Sequence, residues 1–181
     1  ATQSVGQGLT AFNSNGFSLG TQAAGASDTN FSGRTYVGWQ WQAGQGTNTT
    51  NTNGSITSTV SVNASAGFSV VTYTGTGAAA TVGHGLGVAP QLVILKDRAT
   101  ANRWLVYHTS LGATKGIYLE STLAASTSST FWNNTAPTSS TVSVGTWSYS
   151  GNQVMYCWTP IAGYSAFGSY TGNGSTDGVF V

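Results

Sequence analysis

Charge is nearly missing from this sequence. Of 181 residues, five are Lys or Arg and four are Asp or Glu, so charged side chains make up 5%, where soluble domains usually carry about 25%. The net charge of +1 leaves neither the basic stripe of a nucleic-acid binder nor an acidic substrate surface. Long apolar runs are missing as well. LVIL (92–95) and VMYCW (154–158) fall far short of the ~20 apolar residues of a spanning helix, so no membrane insertion is expected. No charged segment followed by an apolar one opens the chain, so the expectation is that a signal peptide is absent or already removed. The single cysteine, Cys157, excludes an internal disulfide and a cysteine metal cluster. Its apolar neighbours mark a buried hydrophobe rather than a reactive thiol.

Solubility therefore rests on Ser, Thr, Asn, Gln and 25 Gly. Disorder is excluded by 6 Trp, 8 Tyr and 7 Phe and by regular alternation of apolar and polar positions. Strands are predicted at TYVGWQW (35–41), ITSTVSV (56–62), FSVVTYT (68–74), QLVILK (91–96), RWLVYH (103–108) and GIYLE (116–120). Others are predicted at STVSVGT (140–146), QVMYCW (153–158) and YSAFGSYT (164–171). Clusters of Gly, Asn, Ser and Thr supply the turns. No twelve-residue window has helical periodicity with caps. The expected fold is all-β, an antiparallel sandwich or jelly-roll-like architecture.

The chain also echoes itself. GFSVVTYTGTG (67–77) recurs as GYSAFGSYTGNG (163–174) with one inserted residue. FSLGT…SGRTYVGWQW (17–41) echoes VSVGT…SGNQVMYCW (142–158), aligning Trp39 with Tyr156 and Trp41 with Trp158. A weaker echo pairs Phe12-Asn13 with Trp132-Asn133. The expected organisation is a rear part of a repeat unit at 1–66, with a Gly/Thr/Asn-rich join at 44–55. A complete unit follows at 67–162, then the front strand of a further unit at 163–181. Such an order arises from a longer tandem array, or from head-to-tail complementation between copies by strand addition.

Little chemistry is available. Two histidines, His84 and His108, and the acids Asp28, Asp97, Glu120 and Asp177 offer no set of four ligands for a closed zinc site, so neither metal nor cofactor is expected. A nucleophile elbow and a phosphate-binding loop are both absent. Glu120, two residues after Tyr118, is the acid best placed for glycoside hydrolysis, which needs a second carboxylate. No catalytic residue is assigned. Lys96, Arg98, Arg103 and Lys115 lie within twenty positions. They read either as the solvated tip of a hairpin, with Asp97 neutralising its neighbours, or as a small patch for acidic glycans. Trp132 and Trp147 stand in turn-like sequence (FWNNTAP and GTWSYSG) and are better candidates for exposure than Trp39 and Trp41, with a structural role as the first reading of each. The candidate partner or glycan contacts are thus Lys96, Arg98, Arg103, Trp132 and Trp147. His84 is expected to be a structural hydrogen-bonder.

One ordered series runs through these pieces: GFSVVTYTGTG, HGLGVAP-x-L-V-I-L-K-x-R, the run from Trp104 to Gly112, WNNTAPTSSTVSVGT and GYSAFGSYTGNG. It resembles tandem β modules in large structural proteins of marine and cyanobacterial phages. The resemblance covers most of 67–181, and TYVGWQW extends it upstream. It implies a non-enzymatic virion component, a tail fibre, spike or decoration module. The implied partners are copies of itself in a homo-oligomer, other virion proteins and host-surface glycans. A stand-alone carbohydrate-binding domain and a filament or adhesin subunit built by strand complementation are the alternatives.

Overall fold

The computed structural model describes residues 8–21 and 29–178. The chain forms two compact units, Ala1–Gln40 and Trp41–Val181. In the first, β1 (Leu9–Asn13) and β2 (Gly16–Leu19) make an antiparallel hairpin with Phe12 opposite Phe17 and a bulge between Leu9 and Ala11. Asp28 lies outside the described residues.

The second unit is a two-layer antiparallel sandwich. Its strands are β3 (Thr49–Asn51), β4 (Ser58–Asn63), β5 (Phe68–Gly75), β6 (Ala80–Gly83), β7 (Leu92–Asp97), β8 (Leu105–His108), β9 (Lys115–Tyr118), β10 (Ser126–Thr127), β11 (Thr141–Val144) and β12 (Gly151–Trp158). One helical turn, α1 (Ser129–Trp132), precedes β11. The large sheet has eight strands in the order β10-β9-β8-β7-β12-β5-β4-β3, while β11 and β6 pair separately. The last strand, β12, therefore sits at the centre. It joins the meander β3-β4-β5 to the meander β7-β8-β9-β10, with Met155 opposite both Val71 and Leu95.

Side-chain alternation gives the large sheet two different faces. Val60, Val71, Tyr73, Val93, Leu95, Leu105, Tyr107, Met155 and Cys157 point inward and join one buried cluster. Val82 of β6 and Val142 and Val144 of β11, all fully buried, close the cluster from the second layer, with Leu86, Phe131 and Trp132. Burying such side chains is worth roughly 1.5–3 kcal/mol each before ordering costs. The opposite face alternates in chemistry. At one end Trp41 packs edge-on against Trp158 (5.4 Å) and beside Phe68 (6.2 Å). At the other end stand Thr59, Thr72, Thr74 and Asn152.

Seven of the nine predicted strands form, shifted by no more than two residues at either end. Two do not: residues 35–41 and 164–171 are in no strand. Alternation gives them strand character, but pairing supplies the energy of a strand. The connection at 64–66, where the repeat reading divides one unit from the next, is a three-residue turn inside the large sheet. The hairpin β1–β2, the strand β6 and the helical turn α1 carry too short a pattern to be read from sequence.

Candidate functional site

Two features of the second unit gather polar chemistry: the tip between β7 and β8, and a groove on the outer sheet face next to it. The tip is organised by Asp97. Its carboxylate accepts hydrogen bonds from the Ala99 N–H (2.8 Å), Thr100 Oγ1 (2.7 Å), Asn102 Nδ2 (2.8 Å) and the Thr100 N–H (3.3 Å). Burial alone pushes this carboxyl upward. The donors, led by the Thr100 hydroxyl, outweigh it and hold it below the usual carboxylate range. Asp97 therefore spends its charge on the backbone and side-chain donors of the loop and not on its charged neighbours, and among the described residues it forms no ion pair with Lys96 or Arg98.

The cations separate accordingly. Lys96 Nζ donates to the carbonyls of Asp97 and Thr100 (3.0 Å to Thr100) and lies 5.9 Å from the Trp104 ring centre. Arg103 donates from Nε to Glu120 Oε1 (2.8 Å) and stacks 4.0 Å over Tyr118. Both are committed within the fold. Arg98 is exposed, and its guanidinium bonds to no described residue; only its backbone N–H is engaged, with the Asn152 carbonyl (2.9 Å).

Arg98 stands at the wall of a groove of about 290 Å³ lined by Thr57, Thr59, Thr72, Thr74 and Asn152, with Tyr73 and Gln153 at its floor. Period-two alternation on three neighbouring strands brings the threonines together, since Thr72 faces both Thr59 and Val154, and Thr74 faces Asn152. Tyr156, half-buried on the same face, extends the surface. Burial pushes its phenol up, and the Arg98 charge nearby pulls it back in part. Sequence reasoning found Arg98 but not the threonines, because four hydroxyls in a Thr-rich chain become a site only through strand register.

Trp132 and Trp147 take the structural role, and their candidacy as exposed contacts is corrected. Trp132 is 1% exposed and stands edge-on to Tyr107 at 5.7 Å. The turn-like FWNN sequence begins inside α1, which Ser128 caps and Asn133 ends in the left-handed region (φ 50°), and the helical turn directs Phe131 and Trp132 into the core. Trp147 is half-buried among Tyr118 (5.6 Å), Phe131 (5.7 Å) and Tyr149 (5.4 Å). Neither ring is a free platform for a sugar.

Glu120 accepts from Arg103 Nε (2.8 Å) and the Trp104 N–H (3.2 Å). Desolvation raises its carboxyl, but these bonds and the Arg103 charge bring it below the ordinary range, away from the raised value a general acid needs. Burial pushes the Cys157 thiol well up, which keeps it protonated. No group of three or more potential metal ligands occurs among the described residues. No helix there is long and apolar enough to cross a membrane.

His84 is fully buried; its Nδ1 accepts from the Leu86 N–H (3.2 Å), so Nε2 carries the proton and donates to the Thr138 carbonyl (3.2 Å). Burial lowers its pKa and the Thr138 bond offsets this in part. The unfolded chain takes up a proton at about pH 6.5, before the folded one does. Stability should thus be full above that pH and fall as pH drops below it. Urea midpoints at pH 7.5 and pH 5 should differ in the wild type. A His84→Gln variant should be weaker by ~1–3 kcal/mol at pH 7.5 and should lose less between the two.

A family described as a domain of unknown function (DUF7483) matches residues 1–181, and the chain belongs to that family. No curated protein and no solved structure matches it.

Proposed function

We propose that this member of the family is a non-enzymatic structural module of a bacteriophage particle, displayed on a fibre, spike or similar host-contact element. Its groove would hold acidic sugars of the host surface. The observation that carries the glycan part is Arg98, a cation with no bond to any described residue, beside five groove side chains whose polar groups are four Thr hydroxyls and one Asn amide. Hydroxyls and amides match sugar hydroxyls, and a guanidinium matches a carboxylate in two-point geometry. The particle part rests on the resemblance of the motif series to tandem modules of phage structural proteins. A charge-poor, hydroxyl-rich surface suits a module present in many copies, where weak single contacts combine into avidity. Glu120, tied to Arg103 with its carboxyl lowered, supports a binding role over a hydrolytic one.

Calorimetric titration with a uronic-acid polysaccharide and with a neutral glucan tests the reading. The acidic polymer should bind and the neutral one should bind far more weakly. Arg98→Ala removes a charge-assisted bond worth ~1.5–3 kcal/mol, so its affinity should fall about 10- to 100-fold, while Lys115→Ala should change little. The polymer's chain length should stay constant during incubation. Equal binding of both polymers, an unaffected Arg98→Ala variant, or turnover would overturn the proposal.

A further inference from the structure

The first unit carries an open apolar cleft of about 360 Å³, lined by Leu9, Phe12, Phe17, Leu19, Gly38 and Gln40 together with Thr29 and Trp39. Phe12 is 82% exposed, Leu9 46% and Leu19 38%. Clustered apolar exposure of this kind marks a surface that takes a partner.

The second unit holds the same pieces of sequence with the cleft filled. FSLGT aligns Phe17 and Leu19 with Val142 and Val144, both fully buried, and Phe12 aligns with the buried Trp132. The alignment of Trp39 with Tyr156 places Gly38 and Gln40 on Met155 and Cys157, the inward positions of β12. In the second unit that assembly is covered by β5, which runs antiparallel beside β12 and inserts Val71 and Tyr73 into the core.

β5 has a sequence counterpart in this chain, residues 163–174. Val71 corresponds to Phe167 and Tyr73 to Tyr170. In a strand, the extra Gly168 between them would form a one-residue bulge and bring both side chains to one face. In the structure this segment is in no strand beyond the bridge between Ser165 and Ile161, and Tyr164 and Tyr170 are 74% and 71% exposed.

We propose that residues 163–174 of one copy form a β5-type strand that closes the apolar cleft of the first unit of a second copy, inserting Phe167 and Tyr170. The pairing of β5 with β12 fixes the register. Val70 opposite Tyr156 and Val71 opposite Met155 place Ala166 opposite the partner's Trp39 and Phe167 opposite the partner's Gly38. The contact is head-to-tail, so it closes into a ring of two or more copies or extends as an open filament. It uses no residue of the Arg98 groove.

Sedimentation of the 181-residue chain across a wide concentration range tests this with two single variants. Phe12→Asp spoils the cleft and Tyr170→Asp spoils the strand. Both residues are largely exposed, so each variant should keep the wild-type unfolding transition. The wild type should grow in mass with concentration, each variant alone should stay monomeric, and an equimolar mixture should stop at a dimer, because one intact cleft meets one intact strand. Arg98→Ala should assemble like the wild type, which separates failure here from failure of the glycan reading. A wild type monomeric at all concentrations, a mixture that does not dimerise, or a Tyr170→Asp chain that still assembles would each overturn the proposal.

Discussion

Trp132→Ala should destabilise the second unit by ~3–5 kcal/mol, a large share of the ~5–15 kcal/mol that holds a typical domain together. The ring is the bulkiest fully buried side chain among the described residues, it contacts Tyr107 edge-on, and it belongs to the same cluster as Leu105, Val144 and Met155. Its removal leaves a cavity that strands from two layers cannot collapse around. The size of the effect separates a core role from surface display, for which truncation costs within about 0.5 kcal/mol. Trp132→Phe should cost much less. The indole N–H is buried without a hydrogen-bond partner in the structure, and phenylalanine removes that unsatisfied group along with some packing. Urea unfolding followed by fluorescence measures both.

Gly67→Ala should cost ~2–5 kcal/mol, from left-handed strain together with overpacking. Gly67 ends the turn between β4 and β5 at φ 65°. A Cβ there would lie 2.4 Å from the Thr159 carbonyl oxygen and 2.9 Å from Ile161 Cγ1. The Thr159 backbone cannot retreat freely, because its N–H donates to the Gly67 carbonyl at 2.9 Å. Gly163 is the control, since it opens the echo of the same motif. Its φ is also positive, at 75°, yet nothing lies within 4 Å of an added Cβ. Gly163→Ala should therefore cost only the backbone strain, about 1 kcal/mol. Equal effects at the two glycines would mean that the Thr159 contact carries no weight.

The sequence shows the fold class because binary patterning in strands is a local property. LVIL, QVMYCW and FSVVTYT declare themselves without knowing their partners, and they turn out to be β7, β12 and β5. What pattern cannot supply is partnership. TYVGWQW alternates as well as any strand in the chain and is in none. The place of β12 at the sheet centre, between β5 and β7, is set by long-range pairing that no window of sequence contains. FWNNTAP failed for a related reason. Four residues are too few to show a helical period, so a turn that aims two aromatics inward resembles a loop that aims them out.

The site divides along the same line. Arg98 was legible as one of few cations in a chain nearly without them. That Lys96 and Arg103 are engaged while Arg98 stands free follows from where Asp97, Trp104, Glu120 and Tyr118 fall around the tip. The threonine wall exists only because β4, β5 and β12 meet in one register.

Electron microscopy of purified phage particles from cultures that produce this chain, labelled with antibody to the folded protein, tests the proposed particle role most directly. The account predicts label on a fibre, spike or other outer element of intact particles, and less label from an antibody directed at the Arg98 face when acidic host polysaccharide occupies the groove. Particles free of label, with the protein recovered only from the soluble fraction of lysed cells, would contradict it.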